Sequence, residues 1–449
     1  MKIFFNFMLL LLTMFCLGMN NMTMLFVFFI ILLKSVLLVG EVSISLVNMS
    51  IMANFFMGDL MSFLLIMMSS MIFVLMCLMQ KSLLSSSKEL FLILSVVMLL
   101  MLMMFFLSSH MLLFYVFFEI VLIPILMMIF LNGAQVERVQ AGMYMLMYTV
   151  FASLPLLVMI MYFYMVGSYS FFYNFIFNSM EMSFLLLFLY FFAFLVKMPI
   201  YGLHMWLPKA HVEAPVVGSM VLAAVLLKMG SFGILRVILL FDFKSLEYLS
   251  SFLMSLSLFG AVVVSMNCFF QVDLKALVAY SSVVHMALLM GGILSCSAWG
   301  AWGSMMMMLG HGMCSSALFC LISFMYDRFY TRNILMLKGM LSVYPVLTLF
   351  WFLFCIINMA APPFMNLFSE ILLLGSIIKW SGFSLVLLML VSFLSAGYSL
   401  YLYTMTQHGK GWFFYSVEGV TSKEFIVLFL HFYPLLFYLL KMELFFNWM

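Results

Sequence analysis

Glu119, Lys197, Lys228 and Glu370 stand inside long apolar stretches: Phe114-Tyr-Val-Phe-Phe-Glu119-Ile-Val-Leu-Ile-Pro124, Leu195-Val-Lys197-Met-Pro199, Ala224-Val-Leu-Leu-Lys228-Met-Gly230 and Asn366-Leu-Phe-Ser-Glu370. An ionisable group in the middle of a hydrocarbon layer costs about 2.5 to 3.5 kcal/mol on insertion scales, so a chain with 7% charged residues retains one there for a reason. The chemistry these types suit is proton transfer. Burial disfavours a lysine's cation and a nearby carboxylate favours it, so a lysine that alternates between the two surroundings alternately releases and holds a proton. Glu119 with Lys197 supplies one such pair. A packing role, as a Glu-Lys lock or a lysine snorkelling to the interface, weighs more for Lys34, Asp59 and Arg236, which lie near the ends of apolar runs.

His285, in Tyr280-Ser-Ser-Val-Val-His285-Met, and His311, in Gly310-His311-Gly-Met-Cys-Ser315-Ser316, extend this set. Each reads equally well as a satisfied hydrogen-bonding group or as a relay. Ser281, Ser282, Ser315 and Ser316 are placed to hold water beside them. Metal binding is the weaker reading, because no acid or second histidine stands at helical ligand spacing near either. His110, His204, His211, His408 and His431 fall near the ends of apolar runs.

The elements that position these residues follow from composition. Of 449 residues, 68% are hydrophobic, and the mean hydropathy is +1.29, which excludes a water-soluble fold. A net charge of +3 without long basic runs excludes a nucleic-acid partner. The seven cysteines show no C-x-x-C spacing and read as small hydrophobes, against an iron-sulfur centre on this chain. No G-x-G-x-x-G is present.

Runs of about 20 apolar residues must be helices crossing the bilayer, because lipid cannot satisfy backbone hydrogen bonds. About 14 such spans are expected, giving an all-α integral membrane protein. The first, Ile3 to Met19, reads as a retained anchor with no cleavage site before Asn20, and the second runs from Met22 to Val39. The third runs from Phe55 to Met79, the fifth from Met111 to Leu131, the seventh from Ser183 to Tyr201, the eighth from Val216 to Leu240 and the twelfth from Val346 to Leu374. Short loops rich in Lys and Arg stay on the side of synthesis. Connections after odd-numbered spans hold Lys81, Lys88, Arg138, Lys209, Lys275, Arg328, Arg332, Lys338, Lys410 and Lys423; the other side holds Lys2, Lys34, Arg236, Lys244, Lys379 and Lys441. That predicts both termini on the outer side. The load of 52 Met and 54 Phe hints at an organellar gene.

Pro199, Pro362 and Pro363 interrupt spans seven and twelve, which also carry charge, and an interrupted helix leaves backbone groups free to bind ions or water. These spans are five apart, the spacing of two five-helix units over spans four to eight and nine to thirteen. A five-helix unit starts and ends on opposite faces, so its second copy is inverted. The expected organisation is 1–85 (three helices), 86–242 (first repeat), 243–405 (second, inverted repeat) and 406–449 (a last helix).

The run Phe194-Leu-Val-Lys197-Met-Pro199-Ile-Tyr-Gly-Leu-His204-Met-Trp206-Leu-Pro208-Lys209-Ala-His211-Val-Glu213-Ala-Pro215 closely resembles the signature of the antiporter-like subunits of respiratory complex I. The resemblance continues through Gly218 to Gly230, through Asp273-Leu-Lys275-Ala-Leu-Val-Ala-Tyr280-Ser-Ser-Val-Val-His285, and through Pro362-Pro363-x-x-Asn366-Leu-x-x-Glu370. It implies a proton-pumping module, with Glu119 and Lys197 as the family's Glu-Lys pair, Lys228 as the central lysine, and His285 and His311 on a hydrated axis. Most of the family carries a lysine at the position of Glu370; a glutamate there marks one subgroup, and the long lateral helix of another member is lacking. The resemblance further implies a mitochondrial inner membrane location and no cofactor on this chain. NADH, FMN, iron-sulfur clusters and ubiquinone are expected on other subunits. The expected partners are other membrane-arm subunits, including the neighbouring antiporter-like ones and a lateral helix, with lipids such as cardiolipin. The competing readings are an autonomous cation/proton antiporter, which would exchange cations without an electron donor, and a membrane scaffold indifferent to neutralising the four charges.

Overall fold

The computed structural model describes residues 50–53, 55–80, 85–133, 135–165, 182–410 and 419–446, so the first two expected spans, with Lys2, Lys34 and Lys81, lie outside them. Each later span is a helix or a broken pair of helices. In order these are α1 (Leu60–Met79), α2 (Ser85–Leu107), α3 (Met111–Ile120) with α4 (Leu122–Asn132), α5 (Arg138–Met165), α6 (Phe184–Lys197) with α7 (Trp206–Glu213), and α8 (Val216–Val221) running through a π turn at Leu222–Leu226 into α9 (Leu227–Ile238). There follow α10 (Phe243–Phe269), α11 (Leu274–Leu294), α12 (Ala298–Phe329), a short α13 (Met340–Val343), α14 (Pro345–Asn358) with α15 (Met365–Trp380), α16 (Ser384–Gln407), α17 (Ser422–Leu440) and α18 (Glu443–Phe446). Among the described residues, ten segments are long and apolar enough to cross a membrane by themselves.

The third span starts later than its hydropathy predicts. Strands β1 (Ser50–Ala53) and β2 (Phe56–Gly58) pair antiparallel, and the helix begins only after Asp59. There Ser62 Oγ accepts from the Asp59 amide at 2.9 Å, satisfying a donor at the helix start that has no partner within the helix.

The bundle is built around α12. Its apolar window is 100% buried and that of α11 is 94% buried, whereas α5 and α16 bury only 39% and leave apolar faces for lipid. The central helices therefore carry the polar residues: Lys228 on α9, His285 on α11 and His311 on α12 are all buried. Alternation of the spans gives the bundle two faces. The junctions α4/α5, α7/α8 and α10/α11 lie on face A, and the junctions α2/α3, α5/α6, α9/α10 and α11/α12 lie on face B.

On face B the Arg236 guanidinium pairs with the Asp59 carboxylate and ties α9 to α1, both side chains being largely buried. This is the interfacial packing role expected for the two residues. Arg236→Ala should destabilise the bundle by about 1.5 to 3 kcal/mol, the worth of a charge-assisted hydrogen bond, by stranding the carboxylate. The double change Asp59→Ala/Arg236→Ala should recover part of that loss, read as yield and melting temperature of the detergent-solubilised protein.

Candidate functional site: a buried axis of titratable groups

Pro199 breaks the seventh span. Having no N–H, it cannot serve the Leu195 carbonyl, which is reached instead by the Ile200 amide at 3.4 Å. That shift frees the Val196 carbonyl, and the Trp206 indole donates to it at 3.0 Å. Lys197 is thus the last residue of α6, at the lip of the break. Its ammonium donates to the Phe118 carbonyl at 2.7 Å and lies over the Phe118 ring, 3.1 Å from the centroid. The fifth span also breaks here, at Val121, where Pro124 cannot serve the Ile120 carbonyl.

Glu119 lies beside this seat rather than in it. It is within electrostatic reach of Lys197, yet among the described residues the two form no contact ion pair, and the Glu119 Oε1 is buried without a hydrogen-bond partner. Glycines on α9 let the two elements meet. A Cβ on Gly230 would fall 2.9 Å from the Met198 amide nitrogen and 3.0 Å from the Phe194 carbonyl oxygen.

Lys228 lies one turn before Phe232, just past the π turn. Its ammonium donates to the Ala223 carbonyl, inside that turn, at 2.6 Å, and stands 3.1 Å from His311 Nδ1. The His311 and His285 rings are 5.4 Å apart between centroids. His285 Nδ1 is 3.4 Å from Glu370 Oε1, and its Nε2 is 3.3 Å from the Tyr398 hydroxyl. Lys228, His311, His285 and Glu370 therefore form one buried series across α9, α12, α11 and α15. The serines expected to hold water there donate to carbonyls of their own helices, Ser281 to Val278 at 2.8 Å and Ser315 to His311 at 2.7 Å among them.

The twelfth span breaks in a similar way. Pro362 and Pro363 stand in the gap between α14 and α15, the Ala361 amide reaches back to the Ile356 carbonyl at 3.1 Å, and the Ile357 carbonyl, served by the Ala360 amide at 3.1 Å, also accepts from Asn366 Nδ2 at 3.0 Å. Asn366 sets the start of α15, one turn before Glu370.

Several supporting residues sit on face A. Lys209 lies over the Tyr144 ring at 3.9 Å, and Pro208, Lys209 and Glu213 line a cavity of about 270 Å³ with Glu137, Tyr144 and Tyr280. Lys275 donates to the Ala214 carbonyl at 3.0 Å and Arg332 to the Val212 carbonyl at 2.9 Å, so two cations cap the end of α7. Asp273 is the N-cap of α11 and bridges to Asn333. His204 is buried against Tyr201 and Tyr280.

Two histidines lie deeper than their sequence positions suggest. His211 is fully buried, stacked on Phe319 at 4.8 Å with neither ring nitrogen hydrogen-bonded, and within electrostatic reach of Lys228 and His311. His431 is buried inside α17 and bonded to the Val427 carbonyl at 2.8 Å. Hydropathy misplaces His211 because α7 is too short and polar to register as part of a span. Among the described residues, no cluster of three or more His, Cys, Asp or Glu is arranged to hold a metal ion.

A helical bundle whose seventh and twelfth spans are broken, each carrying an ionisable residue beside its break, with a line of buried titratable groups in its core, is a multi-pass transport protein. The model of the NADH:quinone oxidoreductase/Mrp antiporter transmembrane family matches residues 108–395. An NADH-ubiquinone oxidoreductase chain 4 from Aedes aegypti is 50% identical over 325 residues, covering 71% of each chain, and one from Ceratitis capitata is 47% identical over 342 residues, covering 74% of each. A chain of respiratory complex I from Thermus thermophilus with bound NADH superposes with a TM-score of 0.77 at 26% identity, over 85% of this chain and 81% of that one. The chain belongs to this family, on the branch of the chain 4 subunits.

The Gly230 contact yields a test of geometry alone. Gly230→Ala should push the Lys197 break off α9 and cut proton transport on the order of a hundredfold, as displacement of about 1 Å can do. Unchanged insertion alongside lost proton uptake in vesicles would confirm it.

Proposed function

We propose that this chain moves protons as a membrane subunit of NADH:ubiquinone oxidoreductase, with no redox chemistry of its own. The observation that carries this reading is the buried series Lys228, His311, His285 and Glu370, which leads from α9, packed on the break of span seven, to α15, just past the break of span twelve, with neighbouring groups in contact or nearly so. NADH, flavin, iron-sulfur clusters and ubiquinone belong to other subunits, whose electron transfer drives the cycle. The lipid-exposed helices meet neighbouring antiporter-like subunits, a lateral helix and lipids such as cardiolipin.

Face A is the matrix side on the distribution of Lys and Arg, which puts the termini in the intermembrane space of mitochondria. Protons enter at the cavity beside Lys209 and Glu213, pass His211, and load Lys228. Lys197 exchanges its seat on Phe118 for the Glu119 carboxylate as the pump cycles. The halves 86–242 and 243–405 act as inverted repeats, with 1–85 and 406–449 flanking them.

Direct escape from Lys197 to face B is blocked by phenylalanines. Phe105, Phe106, Phe114, Phe118, Phe194 and Phe232 are all buried, with centroid separations such as 4.5 Å for Phe105–Phe114, 5.2 Å for Phe106–Phe232 and 5.6 Å for Phe118–Phe194. A packed aromatic mass holds no water file, so the proton must travel sideways along the histidines and leave past Glu370.

Lys197→Ala or Glu119→Ala should abolish pumping while the complex assembles; wild-type proton stoichiometry in either variant would refute a role for that residue in transport. Phe105→Ala should do the opposite. NADH oxidation continues, but the membrane potential it sustains falls, because the cavity it leaves opens a leak to face B.

A further inference from the structure

His285 has a polar group at each edge of its ring. Glu370 Oε1 lies 3.4 Å from Nδ1, within ion-pair distance but not aligned as a hydrogen bond, and Tyr398, delivered by α16 and fully buried, meets Nε2 at 3.3 Å. A buried phenol in a membrane helix has to place its hydroxyl somewhere polar, and here it is placed on the one nitrogen of His285 that points away from the acid.

The chemistry of the ring gives that placement a consequence. A neutral imidazole carries a single hydrogen, and the partner of one nitrogen decides which nitrogen bears it. An ionised carboxylate only accepts, so His285 can serve Glu370 only with the hydrogen on Nδ1. A hydroxyl donating to Nε2 enforces that tautomer. We infer that Tyr398 is a positioning residue for proton transfer from His285 to Glu370, its hydroxyl turning the proton-bearing nitrogen of the ring toward the carboxylate.

The step balances with no co-reactant. When a proton arrives, the ring is an imidazolium with hydrogens on both nitrogens, and the Tyr398 oxygen turns to accept from Nε2. The Nδ1–H bond then breaks as an O–H bond forms on Glu370 Oε1, a cation and an anion become a neutral pair, and the ring is left with its one hydrogen on Nε2, donated to the Tyr398 oxygen. The rotating hydroxyl satisfies Nε2 in every state, as a fixed carbonyl or ammonium would not. An aligned second partner of this kind is what keeps a catalytic imidazole in its working tautomer elsewhere.

The inference rests on Glu370 as the exit, so the experiment tests both separately, in membrane vesicles carrying the assembled complex. Tyr398→Phe keeps the ring and removes one oxygen. We expect normal assembly, coupled NADH oxidation and pumping slowed about tenfold, and a larger H2O-to-D2O rate ratio, because transfer to Glu370 becomes limiting; lost packing would not raise that ratio. On top of Glu370→Gln, Tyr398→Phe should add no further loss to the residual coupled rate, since residues acting as one unit are not additive. A wild-type rate and isotope ratio, or a fully additive loss, overturns the inference. If Glu370→Gln pumps normally, the exit reading falls and Tyr398 falls with it; if Glu370→Gln stops pumping while Tyr398→Phe is silent, only the role of Tyr398 falls. Should Tyr398→Phe fail to assemble, infrared difference spectra of the wild-type complex with isotope-labelled tyrosine decide the matter: a phenol band that shifts on turnover supports the role, and an unchanged one overturns it.

Discussion

Hydrocarbon offers no water to a polar group, so each carbonyl freed by a helix break and each ammonium carried into the bundle must find its partner within the protein. The chain meets both needs with the same few contacts. The lysines take carbonyls exposed at irregular backbone: Lys197 that of Phe118 beside the break in the fifth span, Lys228 that of Ala223 in the π turn, Lys275 that of Ala214 at the end of α7. The proline breaks of spans seven and twelve each gain a side-chain donor, Trp206 on Val196 and Asn366 on Ile357. In each break the amide that would have served that carbonyl in a regular helix reaches one residue further back, Ile200 to Leu195 and Ala361 to Ile356. Two unrelated side chains thus solve one backbone problem in the same way, five spans apart.

The strength of these contacts suits a machine that must let go. Moving one charge against 100 mV takes about 2.3 kcal/mol, and a hydrogen bond to a charged group is worth about 1.5 to 3 kcal/mol. A buried contact ion pair would cost about 3 to 5 kcal/mol to break and would trap its proton. Lys197 sits on a carbonyl and an aromatic face with Glu119 alongside but not touching, so a modest change of charge nearby can decide which seat it takes. The unpartnered buried atoms fit the same logic. Glu119 Oε1, both ring nitrogens of His211, His285 Nδ1, His311 Nε2 and Asn366 Oδ1 lie along or beside the axis, where an unsatisfied group is a place for a mobile proton or water.

From the third span on, the span order, the breaks in spans seven and twelve and the four central charges were legible in the sequence, because in lipid a long apolar run has one solution and a charge inside it stands out. Other features were not. Asp59 and Ser62 delay the third span behind a hairpin, a local capping effect that hydropathy averages away. His211 looked interfacial because α7 is short and carries Lys209 and Glu213, yet the break folds it into the bundle. Tyr398 carried no signal at all, since a tyrosine in a 24-residue apolar helix is ordinary until its hydroxyl is seen against His285.

The order of side chains along the axis is asymmetric. It begins with a lysine, passes two histidines and ends on a carboxylic acid, so its basic and acidic ends lie on different sides of the bundle core. A lysine at the far end would make the axis symmetrical. With Glu370 in that place, 3.4 Å from His285 Nδ1, and with packed phenylalanines between Lys197 and face B, the acid stands at the end of the series opposite Lys228, whose Nζ is held by His311 and the Ala223 carbonyl.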